Sequence, residues 1–194
     1  MQNAHLGMTD RTRDNPVTYD GPARALHWVT AGMLVLLFGL GLSMTRWFEE
    51  DEELKLRVYS WHEWTGLTLF LLTAFRLWWR GRHPAPPLDL PAFERAASRL
   101  TYGAFYMILF VQPVSGWLMN SAFGFTMVYL GLVPLPNLVP VNRPLALFFQ
   151  WVHFTLAMLL VALTAAHVGA VLYHHVLQRD GVLHRMLPSL RARP

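Results

Sequence analysis

Four long apolar runs separated by polar segments dominate the chain. They cover residues 25–45, 59–79, 100–123 and 145–177. Crossing the hydrocarbon layer as a helix takes about 20 apolar residues, and each run is long enough. Inside lipid every backbone N–H and C=O needs an internal partner, so helix is the form such runs must take. The fourth run exceeds a single span and is expected to tilt or to continue beyond the membrane. The predicted fold class is an all-α integral membrane protein, a bundle of four transmembrane helices. Residues 1–20 read as a polar N-terminal tail, 21–188 as the four-helix domain and 189–194 as a basic C-terminal tail. The first run follows a leader that includes Asp10, Asp14 and Asp20. A secretory signal has a short basic leader and a small-residue cleavage site, so this run is read as an uncleaved helix.

Composition agrees with the pattern. Apolar residues make up 54% of the chain and charged residues only 14%, against about 25% charged in a soluble domain. With no cysteine, disulfides, thiolate zinc sites and cysteine-ligated iron–sulfur clusters are excluded. The net charge of +4 does not point to nucleic acid, because the basic residues gather at the ends of apolar runs. Twelve arginines fall in the N-terminal tail, the segment between runs two and three, and the C-terminal tail, against four basic residues in the other two loops. By the positive-inside rule both termini are expected on the cytoplasmic side of the membrane. Trp28, Trp47, Trp61, Trp64, Trp78, Trp79, Tyr102 and Trp151 lie near the run ends, as in an interfacial belt. The outer loop 124–144, rich in proline, is expected to lie on the surface with a short interfacial helix. The inner linker 83–91 is expected to be extended.

The histidines carry the chemistry. There are nine. His5, His83 and His184 fall in the tail, the inner linker and the segment past the fourth run, and read as solvated. His27, His62, His153, His167, His174 and His175 lie in or beside apolar runs, where ionisable residues are rare and usually functional. His153 and His167 are fourteen residues apart, within about 40° of one face and roughly 21 Å apart along a helix. That separation suits two stacked haems. The alternating direction of the helices puts His27 at the depth of His167, and His62 at the depth of His153. The predicted axial pairs for two haems b are therefore His27 with His167 and His62 with His153. Two imidazoles fill both axial positions, which favours electron transfer over oxygen binding. His174, seven residues beyond His167, is the alternative inner ligand. It would lie roughly 31 Å from His153, the whole hydrocarbon thickness. Otherwise His174 and His175 are interfacial residues near haem propionates or quinone.

Other residues give weaker signals. Gly66 would let a porphyrin approach helix two, and Gly32, Gly39 and Gly41 would do so on helix one or ease helix packing. Arg24, Arg76 and Arg80 suit propionates or lipid phosphates. Pro113 is expected to kink the third helix, which has no histidine and reads as a packing wall or part of a quinone cleft.

Several motifs together resemble the bacterial cytochrome b561 family, which is related to the cytochrome b subunit of nickel–iron hydrogenases. They are Ala25-Leu26-His27-Trp28, His62 with Gly66, Phe75-Arg76-Leu77-Trp78-Trp79-Arg80 and Trp151-Val152-His153. The series ends with His167 through His174-His175 to Leu183-His184-Arg185-Met186-Leu187-Pro188. The resemblance covers roughly residues 17 to 188. It implies two haems b with bis-histidine ligation, a plasma-membrane location and electron exchange with quinone. Some members oxidise superoxide at the outer face and pass the electron to ubiquinone. A site that captures superoxide gains from positive potential. The outer run Glu49, Glu50, Asp51, Glu52 and Glu53 instead suits a basic donor such as a c-type cytochrome, or is simply a solvated face.

The expected function is electron transfer between an outer-face donor and membrane quinone. The alternative is an anchor and electron conduit for a hydrogenase or dehydrogenase partner. A haem-free transporter or proton relay using the same histidines is disfavoured by four helices without an inverted repeat. A purely structural bundle leaves the histidine depths unexplained.

Overall fold

The computed structural model describes residues 18–46, 51–87 and 91–187. Trp47, Glu49, Glu50, His5, Arg191, Arg193 and nearly all of the two tails lie outside the described residues. Four long helices follow one another: α1 (Gly21–Arg46), α2 (Glu52–Arg82), α3 (Ala92–Phe123) and α4 (Arg143–Tyr173). Most reach past the apolar runs because polar residues cap them one or two turns further out. Asp20 accepts from the Ala23 amide at 2.7 Å, Asp51 from Leu54 at 2.9 Å and Asn142 from Leu145 at 3.0 Å. Each satisfies a backbone N–H that the first helical turn leaves without a partner. α3 runs through Pro113 and ends on Gly124, whose φ of 89° only glycine adopts cheaply. α4 continues as a π-helical turn, His174–Gln178.

α1 and the extended α4 are long and apolar enough to cross a membrane. α2 and α3, of 31 and 32 residues, have the length but carry more polar side chains. These include His62, Glu63, Thr65 and Thr68 on α2 and Gln112, Ser115 and Asn120 on α3. The buried hydroxyls of Thr30 and Thr73 bond back to carbonyls four residues earlier in their own helices, each at 2.7 Å, so they need no water.

α1 packs on α2, α2 on α3 and α3 on α4. The buried core is Leu69, Ile108, Leu109 and Leu160, with Leu34, Leu37, Phe38 and Phe105 among the side chains packed around it. Leu160 is seven residues from both His153 and His167, roughly 10 Å along the helix from each. The core is thus an apolar layer midway between two depths of histidine.

The loop between α3 and α4 does not form the short interfacial helix suggested by its sequence. It forms an antiparallel hairpin, β1 (Val128–Tyr129) with β2 (Val133–Pro134). Leu130 and Gly131, at φ 54° and 71°, make the turn, and the following prolines withhold amides that a helix would need. Trp64 on α2 donates to the Val128 carbonyl at 2.8 Å, and the Thr68 and Tyr129 hydroxyls meet at 2.8 Å. The hairpin is therefore bound to the end of the bundle where α2 and α4 begin, here called the hairpin end.

The opposite, terminal end gathers both described chain ends. The Tyr19 amide donates to the Arg185 carbonyl at 3.2 Å, and Trp28 Nε1 to the Met186 carbonyl at 3.3 Å. The buried Arg185 side chain donates to the carbonyls of Pro86 and Pro87 and lies over the Tyr19 ring at 5.5 Å. One guanidinium thus ties the α2–α3 linker to both chain ends. Replacing it with Ala leaves those carbonyls without a charged donor, a loss of about 2 kcal/mol. Arg185→Ala is therefore expected to lower the thermal midpoint in detergent and to speed protease cleavage near residues 84–91. Unchanged melting and cleavage would show that the linker is held by other contacts.

Candidate functional site

The helices bring the four candidate histidines together as two pairs. At the terminal end the His27 and His167 rings have centroids 6.3 Å apart and planes at 67°. At the hairpin end His62 and His153 are 6.2 Å apart with planes at 69°. A first-row metal binds an imidazole nitrogen at about 2.0–2.1 Å, and that nitrogen lies about 1.1 Å from the ring centre, so two imidazoles on opposite sides of one metal stand about 6.3 Å apart. Both pairs match this spacing. Among the described residues no three His, Asp or Glu side chains converge. A metal held by protein ligands alone has no candidate site there. A porphyrin brings four nitrogens of its own and asks the protein for two.

Unpartnered polar atoms support the fit. Among the described residues four buried side-chain atoms lack a hydrogen bond: Arg24 Nε, His62 Nδ1, Gln112 Oε1 and Thr164 Oγ1. Buried polar groups are normally bonded, so each needs a reason. One is a candidate ligand itself. Arg24 and Thr164 stand one helical turn before His27 and His167, and Gln112 bonds to His153. All four thus fall at the two pairs, which suits a polar, carboxylate-bearing group that completes them.

The ring nitrogens differ in their partners. His153 Nδ1 lies 3.1 Å from the Gln112 carbonyl and 3.0 Å from Ser115 Oγ. The Nδ1 of His62 faces the Leu37 carbonyl of α1 without a hydrogen bond of normal geometry. His27 Nδ1 meets the Arg76 guanidinium at 3.2 Å. Phe105 meets the His167 ring edge-on at 5.6 Å. Beside His62, Glu63 accepts a hydrogen bond from Asn120 of α3.

Two glycines lie against ligand rings. A Cβ on Gly116 would stand 3.1 Å from His153 Cε1, and one on Gly41 would stand 3.6 Å from His62 Cε1. Gly66 faces only Leu37 at 4.0 Å, while Gly32 and Gly39 face open space. The two close glycines therefore seat imidazoles. Gln112, Ser115 and Gly116 were invisible to sequence reasoning, since α3 offered no histidine to draw attention to it.

The remaining histidines have other neighbours. His174 Nδ1 meets Asp180 Oδ2 at 2.5 Å, while His167 is the one opposite His27. His175 is exposed. His83 stacks on Trp79 at 4.0 Å. Arg80 lies over the Tyr102 ring at 4.9 Å and Arg76 over Tyr106 at 5.9 Å, so the terminal end is cationic and aromatic. Of the acidic run, Asp51 caps α2 and Glu53 pairs with Arg57 at 2.6 Å, and Asp51, Glu52 and Glu53 are all exposed. At least two of these acids serve the first turns of α2, where negative charge favours the helix dipole.

Residues 18–189 match the family described as prokaryotic cytochrome b561. The chain is 31% identical over 183 residues to cytochrome b561 homolog 2 of Escherichia coli (strain K12), covering 90% of this chain and 93% of that protein. It is 27% identical over 165 residues to cytochrome b561 homolog 1 of the same organism, covering 84% and 93%. A protein of Yersinia pestis named "Probable superoxide oxidase CybB" is 26% identical over 129 residues, covering 65% of this chain and 72% of that one. The chain belongs to the prokaryotic cytochrome b561 family of haem-binding membrane electron-transfer proteins.

Proposed function

We propose that the chain holds two haems b and carries electrons between a donor at the outer face and membrane quinone. His62 and His153 would hold the hairpin-end haem, and His27 and His167 the terminal-end haem. The observation that carries this reading is the matched spacing of the two ring pairs, 6.2 and 6.3 Å. When bound, the haems would supply one-electron iron chemistry. The protein's part is to hold the imidazoles, exclude water and set the electrostatics.

All four helices span the membrane in this reading. Leu71, Phe75 and Leu77 on α2, and Met107, Val111 and Val114 on α3, are exposed apolar side chains. Such a hull needs lipid rather than water against it. The bond between Tyr19 and Arg185 joins the two described chain ends, which supports termini on one side, and the arginine balance supports the cytoplasmic side of a bacterial inner membrane.

The chain's own residues also prepare the terminal end. Arginine only donates, so in the present arrangement His27 Nδ1 accepts from Arg76. A neutral imidazole bound to iron through Nε2 carries its proton on Nδ1. Arg76 would then turn from that nitrogen while its charge stays beside the pair, and Arg24, whose buried Nε lacks a partner one helical turn before His27, would be the cation left to meet a carboxylate of the porphyrin.

Ligand assignment is tested by pyridine haemochrome content and reduced-minus-oxidised spectra of purified variants. Wild type is expected to hold two low-spin haems per chain. His167→Ala is expected to fall to about one, and His174→Ala to keep two. Loss of a haem in His174→Ala with retention in His167→Ala would move the ligand to His174. A colourless wild type, purified from haem-replete cells, would remove the haem reading and favour a transporter.

The donor side divides into two cases. The relative named as a probable superoxide oxidase favours a small-molecule donor, and the helix-capping use of Asp51 weakens the case for a dedicated docking patch. The purified chain in liposomes is therefore expected to reduce a ubiquinone analogue when superoxide is generated outside, followed at the quinone absorbance. No turnover until a dehydrogenase or hydrogenase partner is added would identify an electron-conduit subunit instead.

A further inference from the structure

We propose that α3, which brings no histidine, is the positioning element of the hairpin-end haem. Gln112, Ser115 and Gly116 fix the tilt and tautomer of His153 and hold that haem at the lower potential of the two. The inference rests on the two-haem reading above.

Three contacts reach one imidazole from little more than one turn of α3. The Ser115 hydroxyl donates its single proton to the Gln112 carbonyl at 2.7 Å. Its oxygen therefore meets His153 Nδ1, at 3.0 Å, as an acceptor. The Gln112 carbonyl, 3.1 Å from the same nitrogen, is a second acceptor. Facing two acceptors and no donor, Nδ1 keeps the proton, and the lone pair is left on Nε2 for iron. The Gln112 side-chain amide bonds back to the His153 carbonyl at 3.0 Å, which locks α3 and α4 in register at this level. Gly116 completes the seat. A Cβ there would stand 3.1 Å from Cε1 and 3.3 Å from Nδ1 of the ring, so any side chain pushes the imidazole off its present tilt.

The other pair has no such clasp. Among the described residues no hydrogen bond reaches the His167 ring, whose neighbours are the rings of Phe105 and His27. Its partner His27 faces the cation of Arg76. A ligand imidazole that donates its other N–H to an oxygen acceptor becomes more basic and favours ferric iron. A buried cation nearby favours ferrous iron, which carries one positive charge less. Both effects push in the same direction. The seat of His153 would therefore make its haem the easier of the two to oxidise, and Arg76 would make the haem of His27 and His167 the easier to reduce.

The test is a potentiometric titration of the haem spectrum in purified, haem-loaded protein. His62→Ala and His27→Ala, each leaving one haem, assign the midpoints. The wild type is expected to show two, with the lower one missing in His62→Ala. Ser115→Ala is expected to raise that midpoint by a three- to tenfold change in the reduction equilibrium, about 28–59 mV for one electron, and to leave the other in place. Gly116→Ala is expected to disturb the same haem and to add a high-spin signal from it alone. Two haems with both midpoints unmoved in both variants, or loss of the higher midpoint in His62→Ala, would overturn the proposal. A wild type with fewer than two haems would overturn the two-haem reading instead.

Discussion

A nitrogen buried in an apolar bundle must be bonded to something, because leaving it unpaired costs about 1–3 kcal/mol. Four imidazoles are partly or fully sequestered between these helices, and the surrounding side chains cannot satisfy them all. The unpartnered atoms are not scattered. They fall on His62, on Gln112 against His153, and one turn before His27 and His167. Between the two levels the packing is built on the apolar side chains Leu69, Ile108, Leu109 and Leu160. The interior is therefore layered: a histidine pair, a hydrocarbon layer, and a second histidine pair.

Much of this order was legible in the sequence because it depends on length and period. Four apolar runs gave four helices, and fourteen residues between His153 and His167 gave two levels on one face. Alternating direction then assigned His27 and His62 to opposite levels. The helix ends were less legible. Asp20, Asp51 and Asn142 extend the helices through polar turns that hydropathy assigns to loops. The hairpin was missed because its turn uses Leu130 in the left-handed region, where β-turn chemistry normally calls for glycine or asparagine.

What the sequence hid in the site is the work of α3. Glutamine, serine and glycine are ordinary residues in a membrane helix, where they most often serve helix packing. Their meaning here comes only from the partner helix: Gln112, Ser115 and Gly116 matter because His153 of α4 lies against them. His174 was ambiguous for the same reason. Its spacing suited the inner level, but its neighbour Asp180 comes close only because the chain leaves the helix at Arg179, with φ 54°.

The two ends of the bundle are also closed by different chemistry. At the hairpin end the closing bonds are neutral: Trp64 to Val128, Trp117 to Pro136 at 3.1 Å, and Leu138 to the Ser121 hydroxyl at 3.1 Å. At the terminal end Arg76, Arg80 and Arg185 close over Tyr106, Tyr102 and Tyr19. An aromatic face, unlike a carboxylate, leaves the charges of Arg76 and Arg80 in place. Positive potential therefore persists at that end, beside one histidine pair and far from the other. In the proposed reading, two nearly identical ring pairs are made electrically unequal by how the ends of the bundle are sealed, which would give an electron entering from the hairpin side a direction in which to fall.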